Sequence, residues 1–114
     1  MAILSTVFVC MKSDLAEAFP EHLHRALCED YDAEVWEHAK GRAYFMSRVG
    51  WYLDDSAIQE IYAWFGSRAD DYKIIEACED YPESTDVDAG CWEGNPWHAN
   101  EWGGRVLSVS HGRR

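Results

Sequence analysis

The chain has 114 residues, of which 21 are acidic and 10 are basic, so its formal net charge is −11. Such a field repels nucleic acid and attracts basic surfaces, which argues against direct binding to DNA or RNA. A hydrophobic content of 47% is too high for a disordered acidic tail. We therefore expect one folded α+β domain covering residues 1–114, a length typical of single domains.

The first third of the chain predicts a strand followed by helix. Residues 2–10 form a β-branched, apolar run that is typical of a buried strand. Ser13 is a candidate N-cap for a helical stretch, and Pro20 either opens a second helix or kinks one long helix. The apolar residues of this stretch recur at three- and four-residue steps and share one face: Leu15, Phe19, Leu23, Ala26 and Leu27.

A hairpin is predicted around Lys40-Gly41, a plausible two-residue turn between residues 33–39 and 42–49. In that register Trp36 faces Phe45, a favourable aromatic cross-strand pair. The alternative interpretation continues the preceding helix through Trp36.

The next helix begins near Ser56, which forms a capping box with Gln59 and follows two aspartates suited to a helix N-terminus. Its helical spacing and Gly66, a typical C-terminal glycine, predict a short amphipathic helix. The apolar stripe consists of Ile58, Ile61, Tyr62 and Phe65.

Residues 72–78 predict a strand, residues 80–103 a long acidic, tryptophan-rich loop, and residues 105–110 a closing strand. A loop of that length inside a compact domain is usually functional or contains short secondary structure. The element order predicts an α+β two-layer sandwich, a mostly antiparallel sheet with two helices on one face.

The acidic residues fall into two clusters. The first contains Glu29, Asp30, Asp32, Glu34 and Glu37, and the second contains Glu76, Glu79, Asp80, Glu83, Asp86, Asp88 and Glu93. On an extended chain, Asp30, Asp32 and Glu34 would lie roughly 6–7 Å apart on one side. DNA places a phosphate about every 3.4 Å along each strand, so such a row could mimic it. The bland interpretation is a solvated acidic surface that serves solubility.

Three tryptophans, Trp92, Trp97 and Trp102, recur every five residues in the predicted loop. Exposed, they would be interface anchors or sugar-stacking platforms, and folded back they would cover the edge of the core. The four cysteines form no CxxC pair, and the histidines form no chelating pair on a helix. We expect no catalytic residue, metal or cofactor.

Size, charge and composition together make the whole chain similar to small phage-encoded anti-CRISPR proteins and other acidic DNA mimics. The resemblance implies a non-catalytic inhibitor that occupies the basic nucleic-acid-binding surface of a bacterial nuclease or CRISPR complex. Both clusters and Trp92 are the candidate contact residues. We expect a protein with reduced cysteines in the cytoplasm, that of a bacterial host cell if phage-encoded, with no membrane binding and with a homodimer as one possible assembly.

Two other functions fit the same residues. An immunity protein or antitoxin against a basic nuclease toxin would use identical charge complementarity. A small enzyme or sugar-binding domain would instead need a concave pocket lined by the three tryptophans.

Overall fold

The computed structural model describes residues 4–52, 54–78, 85–94 and 96. Within them lie five strands and three α-helices, and a 3-10 turn at Ala69–Asp71 precedes the fourth strand. The strands are β1 (Ser5–Lys12), β2 (Glu34–His38), β3 (Gly41–Val49), β4 (Tyr72–Cys78) and β5 (Thr85–Gly90). The helices are α1 (Ser13–Ala18), α2 (Glu21–Asp30) and α3 (Ser56–Phe65).

The five strands form one sheet in the order β2-β3-β1-β4-β5, and every neighbouring pair is antiparallel. The central position of β1 explains its continuous apolar sequence, because both of its faces are covered. Residues 5–11 are all buried. The predicted α+β sandwich with an antiparallel sheet is confirmed, with three helices rather than the two that we expected.

The helices pack on one face of the sheet and enclose the larger core. Pro20 separates α1 from α2, because it occupies the position before the first turn of α2, where its missing N–H costs nothing. The apolar stripes of α2 and α3 meet Val7, Val9 and Met46 of the sheet. The buried helical residues are Leu15, Leu23, Leu27, Ile58, Ile61 and Phe65.

The opposite face of the sheet carries a second, mainly aromatic core. Phe8, at its centre, is fully buried and contacts Trp36 edge to face, with ring centroids 5.0 Å apart. The ring centroid of Phe45 lies 4.7 Å from that of Phe8, and Trp92 packs in the same core. The sheet is therefore hydrophobic on both faces, whereas antiparallel sheets commonly have one face exposed to solvent.

The hairpin is confirmed, but its register differs from the prediction by two residues. Trp36 lies opposite Ala43, and the turn is Ala39-Lys40 rather than Lys40-Gly41. Because side chains alternate with period two, this shift leaves Trp36 and Phe45 on the same face. Their ring centroids are still 5.1 Å apart, as diagonal neighbours.

Three further predictions need correction. The N-cap position of α1 is Lys12 and not Ser13, which is the first residue of the helix. The α3 cap is Asp55, whose carboxylate accepts a hydrogen bond from the Ala57 amide at 3.0 Å, and not Ser56. The predicted loop at 80–103 contains β5, which pairs with β4. The β4 bounds are confirmed. The closing strand expected at 105–110 lies outside the described residues.

Candidate functional site

The first acidic cluster is not the extended row of carboxylates that we expected. Asp30 is the last residue of α2, and Asp32 adopts a left-handed conformation with φ 54° in the connection to β2. Of the three residues expected in the row, only Glu34 belongs to a strand. The chain changes from helix to strand through the left-handed Asp32, so these residues do not form a phosphate-like ladder.

A hydrogen bond brings a second acidic segment to the end of α2. The Tyr31 hydroxyl, directly after α2, donates to the Asp55 carboxylate at the start of α3. Tyr31 also packs edge to face on Trp51, with centroids 5.8 Å apart. The α2 C-terminus and the α3 N-terminus are thus held together. We call the exposed carboxylates gathered here the acidic end: Glu29, Asp30, Asp32, Glu34 and Asp54.

Little within the described residues neutralises the acidic end. Glu29, Asp30, Asp32 and Asp54 are exposed and make no ion pair there. Glu34 accepts a hydrogen bond from the Trp36 indole at 3.2 Å.

Glu37 is held differently from the rest of its predicted cluster. The Arg42 guanidinium donates to its carboxylate at 2.9 Å across the hairpin. This pair lies near the turn, away from the α2 C-terminus. Glu37 therefore contributes less free negative charge than the sequence suggests, and we leave it out of the acidic end.

The hydrogen bond between Tyr31 and Asp55 accompanies a shift in the pKa of both residues. The hydrogen bond from Tyr31 lowers the pKa of Asp55, with the α3 amides adding to the effect. Burial raises the pKa of Tyr31, and the neighbouring Asp55 and Asp30 carboxylates raise it further. Asp55 is therefore ionised, and Tyr31 is neutral, at ordinary pH.

Two members of the second acidic cluster lie in the strand at the other edge of the described sheet. Asp86 and Asp88 belong to β5, four strands away from β2. With an interstrand spacing of about 4.8 Å, the two edges are roughly 19 Å apart. The described parts of the two clusters therefore lie at opposite ends of the described sheet, which the sequence alone did not indicate.

Individual members of the second cluster differ in their availability. Glu76 is half-buried and accepts a hydrogen bond from the Ser5 hydroxyl at 2.7 Å, so it is a poor contact residue. Glu93 is exposed. Glu79, Asp80 and Glu83 lie outside the described residues.

Trp92 is a core residue and not an exposed anchor. Only 3% of its surface is exposed, and it packs in the second core. Its ring therefore offers no free face to a partner or a sugar. Trp97 and Trp102 lie outside the described residues. Of the three tryptophans in the predicted loop, the structure therefore describes only Trp92, which is buried.

A cleft of ≈ 680 Å³ lies beside Trp92. Its charged lining is mixed, with Lys12 and Lys40 opposed by nearby carboxylates. The exposed Cys91 thiol donates to Asp70 at 3.4 Å, which raises the pKa of the thiol. A neutral thiol is a weak nucleophile, so Cys91 is not activated in the way that the nucleophile of a cysteine enzyme is.

Sequence reasoning missed a polar network beneath α2. His24 Nδ1 lies 2.7 Å from the hydroxyl of the buried Tyr44, which also accepts from Arg42 at 3.2 Å. Cys28, one turn after His24, places its sulfur 3.8 Å from Nε2. Burial raises the pKa of Cys28, with Glu29 adding to the effect, so this Cys–His pair holds a thiol and not a thiolate.

Comparisons of the chain with protein-family models, curated proteins and solved structures find no match. Among the described residues, no group of three or more His, Cys, Asp or Glu side chains is arranged to hold a metal ion. None of the helices in this part of the chain has the length and apolar character needed to cross a bilayer.

Proposed function

We propose that the protein is a non-catalytic inhibitor whose acidic end binds the basic nucleic-acid-binding surface of a bacterial nuclease or CRISPR complex. The observation that carries the proposal is the placement of Glu29 and Asp30 in the last turn of α2, which contains no basic residue. Asp32 and Glu34 follow within four residues of Asp30, and Asp54 directly precedes the Asp55 that contacts Tyr31, so exposed carboxylates adjoin this end of α2.

The position of these two residues costs stability. The C-terminus of a helix carries a partial negative charge, so each carboxylate there is unfavourable by about 0.3–1 kcal/mol. A sequence selected only for stability would favour lysine or arginine at this position. A surface that keeps acids where the fold disfavours them is better explained by recognition of a cationic partner.

The chemistry of such a complex follows from charge. Lysines and arginines that normally contact phosphates would pair with the carboxylates of the acidic end and would become unavailable to DNA. Charge complementarity speeds association and fixes orientation, and salt screens it. Binding should therefore weaken steeply between low and high ionic strength.

A double charge reversal, Glu29→Lys with Asp30→Lys, tests the proposal. Lysines suit a helix C-terminus, so the free energy of unfolding should rise, by about 0.5–2 kcal/mol in total at low salt. Partner binding should fall at least tenfold at the same time. Because stability and binding move in opposite directions, lost binding cannot be attributed to unfolding.

Glu17→Lys is the matched control, since Glu17 is an exposed carboxylate in the last turn of α1. It should leave partner binding unchanged.

The target is found by adding the protein to purified CRISPR effector complexes and nuclease toxins and measuring DNA retention on filters. Loss of DNA binding by an effector complex supports the anti-CRISPR assignment. Loss of DNA binding by a toxin supports the immunity-protein alternative. The proposal fails if every candidate binds DNA equally well with and without the protein, or if the double reversal inhibits as well as the native chain.

A further inference from the structure

The strand β2 is the outermost strand on its side of the sheet in the part of the chain that the structure describes. Across the two-residue turn it pairs with β3 from the His38↔Gly41 position onward. Residues that flank such a turn form a hydrogen-bonded pair, and alternate residues of the strand then bond to the neighbour. The N–H and C=O groups of Val35 and Glu37 therefore point away from β3.

The side chains along this edge suit an incoming strand. Val35 is 37% exposed, one of two large apolar side chains found exposed among the described residues. The carboxylates of Glu34 and Glu37 stand on opposite faces of β2, because neighbouring positions alternate. Within the described residues no strand pairs with the outer side of β2, and there the edge offers apolar contact at Val35 and the negative charge of the exposed Glu34, while Glu37 is already paired with Arg42.

We propose that an extended, lysine- or arginine-bearing segment of the partner protein pairs with β2 and adds a further strand to the sheet. This inference rests on the proposed function and names how the contact is made. In such strand addition the main chain supplies hydrogen bonds, and the side-chain pattern selects the sequence. A second copy of this chain would set like charges opposite each other, so a basic segment is preferred.

Amide hydrogen exchange on the intact protein tests the proposal. The probe is a seven-residue peptide that alternates lysine and valine, and the same peptide with glutamate for lysine is the charge control. When the basic peptide occupies nine tenths of the protein, the Val35 and Glu37 amides should exchange about tenfold more slowly. Unchanged exchange at both amides, up to millimolar peptide, overturns the inference, as does equal protection by the acidic peptide.

A substitution separates backbone pairing from charge. Val35→Pro removes an outward N–H and alters no charge, and proline is tolerated on edge strands. It should weaken peptide binding at least tenfold, whereas Val35→Thr, which keeps the N–H and the branched shape, should stay within about twofold. If a folded Val35→Pro variant binds like the native protein, the inference fails. If the variant does not fold, the exchange experiment on the native chain decides.

The two proposals fail differently. If the acidic end binds a partner but β2 does not pair with it, Glu29→Lys with Asp30→Lys abolishes partner binding while Val35→Pro preserves it. If the proposed function is wrong, the native protein displaces no candidate from DNA, whatever happens at β2.

Discussion

A single tyrosine connects the α2 C-terminus to the α3 cap. Asp55 accepts hydrogen bonds from both Tyr31 and the Ala57 amide, so one carboxylate serves two elements. The sequence suggested a helix start here but not the tie, because Tyr31 and Asp55 are distant along the chain. The contact holds the start of α3 next to the end of α2.

Removing the Tyr31 hydroxyl should weaken this connection. Tyr31→Phe is expected to lower the free energy of unfolding by about 1 kcal/mol, less than is usual for a hydrogen bond to a charged group, because Asp55 is exposed. Chemical denaturation at pH 7 measures it. In the background of Asp55→Asn the same change should cost clearly less, and equal costs in both backgrounds would show that the two residues are uncoupled.

The stabilisation by Asp55 depends on pH with a definite sign. Its pKa is lower in the folded protein than in the unfolded chain, because Tyr31 and the α3 amides favour the carboxylate. The contribution is therefore complete above the ordinary aspartate pKa of about 4 and is lost as the pH falls through the lowered value. The difference in stability between the native chain and Asp55→Asn should shrink below about pH 4. A constant difference from pH 7 to pH 2 would contradict it.

At the scale of elements, the β2–β3 hairpin depends on close packing at Gly41. A Cβ atom there would lie 2.1 Å from the Met11 carbonyl oxygen and 2.8 Å from the Trp92 ring. The strand must approach both its neighbour and the second core at this point. This requirement, which no local sequence pattern reports, accounts for placing Gly41 in the strand rather than in the turn.

Gly41→Ala should therefore destabilise the protein by about 1–3 kcal/mol, the usual cost of overpacking a well-filled site. Lys40→Ala, a neighbouring change at an exposed turn residue, should stay within about 0.5 kcal/mol. Thermal or denaturant unfolding of both variants gives the comparison. A Gly41→Ala protein as stable as Lys40→Ala would refute the close approach.

Elements with strong periodicity were predictable, and others were not. The helix ending at Gly66 and strand β4 follow from local spacing. The strand β5 was missed because its polar and glycine-rich sequence resembles a loop, although Val87 and Ala89 alternate with aspartates. The predicted hairpin register was wrong by two residues because such a shift keeps every side chain on the same face of the sheet. The two registers differ only in which residues form the turn.

At the scale of the whole molecule, the second core changes the interpretation of the tryptophans. Trp92 was predicted as a contact residue from its place in an acidic segment. Sequence spacing could not show that the segment returns to the sheet, where Trp92 N bonds to Tyr72 O at 3.2 Å. Four of the five acids of the acidic end are close in the sequence, whereas the fifth, Asp54, was not indicated because the contact between α2 and α3 is tertiary.

Trp92→Ala should behave as a core mutation. Removing a ring that is 97% buried leaves a cavity, and such changes cost about 3–5 kcal/mol. Trp92→Phe, which retains most of the apolar contact, should cost less than half as much. A stable Trp92→Ala protein that had lost only partner binding would restore the surface-anchor interpretation.

The described sheet ends at β2 and β5, and each of these strands contains two acidic residues, Glu34 and Glu37 in the first and Asp86 and Asp88 in the second. Near neutral pH, repulsion between these acidic residues should prevent edge-to-edge pairing of the outer strands of identical molecules. As the medium approaches pH 4.7, where the net charge vanishes, that barrier weakens. Mild acid should consequently promote fibrillar self-assembly before it unfolds the domain, a behaviour that turbidity and thioflavin fluorescence would reveal.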